Sequence, residues 1–135
     1  MNWVDRGVVT SVKNQGNCGT CWSFSTVAMC ESSLILKGLA DSSIDLSEQY
    51  LLDCTVRSSC DGGYLYYAAQ TATVQGVPYE YENPYKERET NRACDSFDNK
   101  IRAATTFGFY TDVNDQELKQ LVANGPVAVA VSSSS

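Results

Sequence analysis

The sequence contains no histidine among its 135 residues. Histidine is the usual general base near neutral pH and the commonest ligand of transition metals, so a histidine-based catalytic pair or metal site is excluded within these residues. No apolar run approaches the roughly 20 residues that a membrane-spanning helix needs. No basic cluster stands out against the net charge of −6. We therefore expect neither a membrane nor a nucleic acid as a partner.

Cysteine, in contrast, is abundant, with six residues in this short chain. Such a content favours an oxidising compartment. The rest of the composition, with 43% hydrophobic and 19% charged residues, is that of a globular domain and argues against disorder. The chain is also long enough to bury a core.

The most informative stretch, residues 15–24, reads QGNCGTCWSF. From Cys21 onward the apolar residues are spaced like one buried side of a helix, which Gly38 would end. The predicted buried side consists of Trp22, Phe24, Val27, Ala28, Leu34 and Ile35. A cysteine in the first helical turn lies where free N–H groups and the helix dipole favour the nucleophilic thiolate. Because Gly16 and Gly19 leave room for another backbone, the pattern predicts a site for attack on a carbonyl group.

Cap and turn residues predict two more helices in the middle of the chain. Ser47 is suited to cap a short second helix that reaches Asp53. Residues 55–63 are rich in serine and glycine, as loops are. Residues 64–75 favour a third helix, which Gly76 would close.

The last third of the chain is predicted to mix one helix with two strands. Asn114 is followed three residues later by Glu117, as in a capping box. The helix that begins there should stop at residues 125–126, which are glycine and proline. Residues 101–110 have the β-branched and aromatic content of a strand, and residues 127–131 form an apolar strand.

At residues 18–22 the sequence CGTCW closely resembles the signature around the nucleophile of papain and cathepsin cysteine proteases. The signature has Ser or Ala at the position that Thr20 occupies here. The resemblance implies an α+β, papain-like, two-lobed fold. Residues 1–104 would form the helical lobe, and residues 105–135 would supply the first strands of the β-barrel-like lobe. Further motifs stand in the family's order: NWVD and VKNQ near the N-terminus, LSEQ with LLDC, CDGGY at 60–64, and NGPV at 124–127.

The resemblance implies two catalytic roles. Cys21 would be the nucleophile, and the side-chain amide of Gln15 would act with the Cys21 N–H as donors to the oxyanion. An isolated glutamine is usually an ordinary surface residue. The position of Gln15 six residues before this cysteine favours the catalytic role instead.

The resemblance also implies a substrate-binding surface. Two adjacent glycines would let an extended peptide pair with their backbone, as in strand addition. Tyr64, Leu65 and Ala130 would line a roomy apolar pocket for the substrate residue two before the scissile bond, which suggests Leu, Phe or Val there. The predicted substrate-binding residues are Gly19, Trp22, Gly62, Gly63, Tyr64, Leu65 and Ala130.

The resemblance further implies the disulfides Cys18–Cys60 and Cys54–Cys94. Cys21 would remain free, and Cys30 would act as a small buried hydrophobic residue. Two other uses of the cysteines are open. Cys18-x-x-Cys21 has the spacing of a thioredoxin-type redox motif, although the expected βαβ context is lacking. A zinc site from Cys18, Cys21, Cys54 and Cys60 would have an unusual spacing in its second pair.

In the family the catalytic histidine and asparagine lie roughly 130–150 residues past the cysteine. We therefore expect this chain to be the N-terminal portion of a complete enzyme and to be inactive alone. The main alternative is a truncated, non-catalytic binding module. The expected partners are peptide or protein substrates and propeptide or cystatin-like inhibitors, with no cofactor and no metal. The complete enzyme should be a monomer, and lysosomal, vacuolar or secreted.

Overall fold

The computed structural model describes residues 2–131, which form four α-helices and one short 3₁₀-helix. Helices α1, α2 and α3 pack against one another and share one core, while α4 has no buried residue. No helix in this part of the chain is long and apolar enough to cross a membrane. Residues 132–135 of the second predicted lobe lie outside the described residues. In chain order the helices are α1 (Cys21–Leu36), α2 (Glu48–Cys54), α3 (Leu65–Val74), the 3₁₀-helix (Glu80–Glu82) and α4 (Asp115–Asn124).

Glycines end the first and third helices as predicted. Gly38, with φ of 73°, donates its N–H to the carbonyl of Ile35 at 3.0 Å. The next residue, Leu39, donates to the carbonyl of Leu34 at 2.9 Å, which completes a Schellman motif. Gly76 follows α3 with φ of 83°. Both glycines occupy the left-handed region that L side chains rarely adopt.

Polar caps begin α2 and α4, also as predicted. The Ser47 hydroxyl accepts the N–H of Tyr50 at 3.1 Å. Asn114 accepts the N–H of Glu117 at 2.8 Å, and its side-chain amide donates to the Glu117 carboxylate at 3.1 Å. Each cap satisfies an N–H that the helix itself cannot satisfy.

The buried side of α1 differs in part from the predicted one. Trp22, Val27 and Leu34 are buried, but Ala28 is exposed. Polar residues fill much of the buried side because they find partners there. The Ser23 hydroxyl, for example, donates to the carbonyl of Glu48 at 2.8 Å. Phe24 and Ile35 are half-buried, and the polar residues buried on α1 are Ser23, Thr26, Glu31 and Ser32.

The two predicted strands are wrong for the described residues. Residues 101–110 and 126–131 are irregular, and only Ile101 pairs with another segment, through an isolated bridge to Val77. A strand is stabilised by a ladder of hydrogen bonds to a neighbour. Apart from that bridge, residues 2–131 place no neighbouring strand beside these segments.

A cluster of charges ties the N-terminal arm to the helices. The Lys13 ammonium lies 2.9 Å from the Glu31 carboxylate and 2.7 Å from that of Glu48, both of which are buried. It also lies 2.8 Å from the more exposed Asp45. Glu31 accepts further hydrogen bonds from the Thr10 hydroxyl and the Leu46 N–H. Every buried charge in the cluster therefore has a partner, as burial of charge requires.

We expect this cluster to make the protein more stable at mildly acidic than at neutral pH. Burial raises the pKa of Glu48 from 4.5 to about 7, although Lys13 opposes the shift. The folded state therefore binds a proton more tightly than the unfolded state, so the free energy of unfolding falls between pH 5 and pH 7. We expect a decrease of about 1–3 kcal/mol.

Urea unfolding at the two pH values measures this difference. Glu48→Gln cannot titrate at this position, and we expect it to lose most of the decrease. Burial also raises the pKa of Glu80, so a smaller slope should remain in the variant. An unchanged slope in Glu48→Gln would assign the effect to other groups.

Candidate active site

Cys21 is the first residue of α1, and its thiol is free and exposed. The carbonyl of Thr20, the residue before it, accepts the N–H groups of Ser23 and Phe24 at 2.9 and 3.0 Å. The N–H of Cys21 itself makes no hydrogen bond within residues 2–131. The thiol therefore stands beside an unused N–H donor at the positive end of a 16-residue helix.

Gln15 lies in the loop that leads into α1. Its side-chain Nε2 donates to the carbonyl of Cys18 at 3.0 Å, so the amide folds back toward the start of the helix. An amide nitrogen carries two protons. Cys18 accepts one of them, and the other is available to a further acceptor.

Gly19 and the turn at residues 59–62 are in close contact. The Gly19 N–H donates to the carbonyl of Cys60 at 2.7 Å. A Cβ at Gly19 would lie only 2.4 Å from that carbonyl oxygen, so glycine is required here for packing. The sequence predicted that another backbone would approach Gly19. That backbone is the turn at Cys60 of the same chain.

The indole ring of Trp22 packs directly against Gly63. Its indole Nε1 donates to the Gly19 carbonyl at 3.0 Å, and a Cβ at Gly63 would lie 2.6 Å from the indole ring. The N–H and carbonyl of Gly62 bond to Ser59 at 3.2 and 2.8 Å. Those of Gly63 have no partner in residues 2–131. Of the two predicted glycines, only Gly63 therefore offers both backbone groups to a ligand.

The remaining predicted substrate-binding residues differ in exposure. Tyr64 is 62% exposed and precedes α3, while Leu65 is half-buried and packs against the core. Ala130 is exposed in the irregular segment at 126–131. The hydrogen bonds and close contacts that join Gln15, Gly19 and the glycine turn do not involve Ala130.

The cysteines pair as the resemblance implied. Disulfides join Cys18 to Cys60 and Cys54 to Cys94, with Cα–Cα distances of 4.6 and 5.8 Å. The redox interpretation is therefore wrong, because Cys18 is not paired with Cys21. The zinc interpretation is wrong as well, because three of its four ligands are in disulfides. Cys30 is free, half-buried and packed against the core, and burial raises the pKa of its thiol to about 11.

A group of carboxylates adjoins Lys13. Oxygens of Asp45, Glu48 and Glu80 lie within 4.8 Å of one another. The Lys13 ammonium already bonds two of these residues. The cation that this group holds is therefore the lysine.

Two arrangements near the site were not predicted from the sequence. One is the Lys13 cluster, which lies two residues before Gln15. The other is Tyr85, whose hydroxyl donates to the carbonyl of Gln15 at 2.6 Å. Since Tyr85 is 70 residues from Gln15, no local spacing could reveal the contact.

Comparisons with known proteins match nearly the whole chain. A family model described as "Papain family cysteine protease" matches residues 1–135. Mexicain from Jacaratia mexicana is 43% identical over 136 residues, which cover 98% of this chain and 62% of mexicain. Papain from Carica papaya is 39% identical over 134 residues, which cover 97% of this chain and 38% of that sequence.

A solved structure of a cysteine protease is also similar to nearly the whole chain. The Carica candamarcensis cysteine protease CMS1MS2, crystallised in complex with E-64, superposes with a TM-score of 0.79 at 36% identity. The match covers 93% of this chain and 58% of that one. This likeness confirms the predicted fold class. The chain spans between about two fifths and three fifths of the length of these three relatives.

Proposed function

Because the chain belongs to the papain family of cysteine proteases, we propose that it supplies the nucleophile lobe of a cysteine endopeptidase. The observation that supports this most is the exposed, free thiol of Cys21 at the start of α1, beside its own unbonded N–H. A nucleophile and an oxyanion donor thus belong to one residue. The proposal keeps the boundary between the two lobes near residue 104.

In the proposed reaction the Cys21 sulfur attacks the carbonyl carbon of a peptide bond. As the C–S bond forms, an electron pair moves onto the carbonyl oxygen, and the Cys21 N–H and the second proton of Gln15 Nε2 stabilise that oxyanion. Collapse of the intermediate expels the amine and leaves an acyl-enzyme. The leaving amine needs a proton, which a histidine provides in this family and which no residue of this chain can provide in the same way.

The free backbone of Gly63 supports binding of the substrate as an added strand. Tyr64, Leu65 and Ala130 would line the pocket for an apolar substrate residue such as Leu, Phe or Val. Propeptide or cystatin-like inhibitors would bind over the same substrate-binding residues. A monomeric enzyme in a lysosome or vacuole, or one that is secreted, fits the two disulfides and the net charge of −6.

Binding of a peptide aldehyde to the isolated chain tests the nucleophile and the oxyanion donor together. The aldehyde carbon forms a reversible hemithioacetal with a thiol, and its oxygen occupies the oxyanion position. We expect binding that is lost in Cys21→Ala and weakened about 10-fold or more in Gln15→Ala. Removal of one such donor typically costs 10²–10³ in rate in a complete enzyme. The matched control, Cys30→Ala, should bind the aldehyde like the wild type.

The same chain should not turn over a fluorogenic peptide with leucine or phenylalanine before the cleaved residue, because it lacks the histidine. Steady cleavage that disappears in Cys21→Ala would contradict the proposed inactivity in isolation. Aldehyde binding that survives in Cys21→Ala would contradict the nucleophile itself. That second result would favour the alternative of a non-catalytic binding module.

A further inference from the structure

The Tyr85 hydroxyl lies between the loop that carries Gln15 and the first turn of α1. It donates to the carbonyl of Gln15 at 2.6 Å and lies 2.9 Å from the hydroxyl of Thr20. Thr20 directly precedes Cys21. One phenol oxygen therefore joins the residue before the nucleophile to the backbone of the residue that supplies the second oxyanion donor.

The protons in this contact can be assigned. A tyrosine hydroxyl has one proton, and a carbonyl oxygen can only accept, so the Tyr85 proton goes to Gln15. Thr20 must then donate to Tyr85. The Thr20 hydroxyl also lies 3.2 Å from the carbonyl of Cys18. That carbonyl already accepts the Thr20 N–H at 2.7 Å and the Gln15 amide at 3.0 Å. Because these two bonds occupy both of its lone pairs, the Tyr85 oxygen is the better acceptor for the Thr20 proton.

Both hydroxyls are held in place by their surroundings. Thr20 is fully buried, and its β-branched side chain has few allowed rotamers. The Tyr85 ring packs edge-to-face on Phe24 of α1, with 5.0 Å between the ring centroids. The Tyr85 N–H donates to the Glu80 carboxylate at 2.9 Å. The contact between the two hydroxyls is thus a fixed part of the lobe rather than a chance surface approach.

We propose that this pair, the Tyr85–Thr20 clasp, positions the oxyanion donors, an inference that rests on the proposed function. The clasp fixes the Gln15 backbone to the first turn of α1. The side-chain amide of Gln15 and the N–H of Cys21 then keep one relative geometry. The clasp also gives Thr20 a role that alanine, one of the two residues usual at this position of the signature, cannot fill because it lacks a hydroxyl.

Three variants and one control separate positioning from general stability. Tyr85→Phe removes the oxygen and keeps the ring on Phe24. Thr20→Val removes the donor at nearly constant shape, whereas Thr20→Ser keeps the donor and should rescue. Tyr81→Phe is the matched control, since Tyr81 is 78% exposed and its ring, which phenylalanine keeps, stacks on Tyr79.

The first measurement is the rate at which the Gln15 side-chain amide protons exchange with water, followed by NMR. We expect this rate to rise about 3- to 10-fold in Tyr85→Phe and Thr20→Val, the change that loss of one net hydrogen bond produces. Thr20→Ser and Tyr81→Phe should stay within twofold of the wild type. This measurement needs no enzymatic activity.

The second measurement is peptide-aldehyde affinity in a double-mutant cycle of Tyr85→Phe with Gln15→Ala. If Tyr85 acts through Gln15, Tyr85→Phe should weaken binding several-fold in the wild-type background and hardly at all in Gln15→Ala. Equal losses in both backgrounds would overturn the proposal, as would an unchanged Gln15 exchange rate in Tyr85→Phe. A third outcome is faster Gln15 exchange in Tyr85→Phe together with an aldehyde affinity that Gln15→Ala does not change. It would support the clasp and contradict the oxyanion role of Gln15.

Discussion

Replacing Lys13 by methionine is expected to lower the free energy of unfolding by about 3–5 kcal/mol, the usual cost of breaking a buried ion pair. Methionine keeps most of the length of the lysine stem but removes the ammonium. Glu31 and Glu48, with side chains 0% and 2% exposed, would lose the cation that compensates their burial. The hydrogen bonds that Glu31 accepts from Thr10 and Leu46 cannot replace a positive charge.

Urea unfolding at pH 7 measures the loss, and Lys119→Met is the matched control. Lys119 is exposed on α4, so its replacement should change stability by no more than about 0.5 kcal/mol. Adding Glu31→Gln and Glu48→Gln to Lys13→Met should restore part of the stability, because the unpaired buried charges are then removed. A loss below about 1 kcal/mol in Lys13→Met would contradict this expectation and show that the carboxylates are compensated without the ammonium, by water or by proton uptake at Glu48, whose pKa is already about 7.

The second large effect is expected from the disulfide between Cys18 and Cys60. Replacing both residues by serine should lower the free energy of unfolding by about 2–4 kcal/mol. The bond closes a loop with a sequence separation of 42 residues, and most of its effect comes from restricting the unfolded chain. Locally it also keeps Cys60 beside Gly19.

Replacing Cys54 and Cys94 by serine gives a comparison of nearly equal loop length, with a separation of 40 residues. Chain entropy alone predicts similar losses for the two pairs. Only the Cys18–Cys60 pair should also change the fluorescence of Trp22, measured in a Trp3→Phe background, because that bond adjoins the turn that covers the indole ring. A change of equal size in both pairs would mean that the turn is held by other contacts.

The helices were predictable because local chemistry determines their ends. Gly38 and Gly76 adopt positive φ, and Ser47 and Asn114 accept N–H groups three residues later. A short window of sequence contains all the information for such an end. The strand predictions failed for the complementary reason. The β-branched residues near Thr105 favour extended backbone, but a strand also needs a neighbour, which no local pattern specifies.

The site was predictable only as far as its motifs extend. Cys21, Gln15 and the glycine turn lie in short contiguous stretches, and the resemblance to the family makes them candidates. Lys13 and Tyr85 act through partners 18 to 70 residues away. Their side chains have no distinctive neighbours in sequence, so only the folded chain shows that they support the loop of Gln15.

The environment of Cys30 makes the chain selective toward thiol reagents. Maleimides and haloacetamides react with the thiolate, and a thiol with a pKa of about 11 has roughly one molecule in several thousand in that form at pH 7.5. Cys30 is also half-buried, whereas Cys21 is exposed. A fluorophore or spin label can therefore be attached at the start of α1 in the otherwise unmodified sequence, with both disulfides intact.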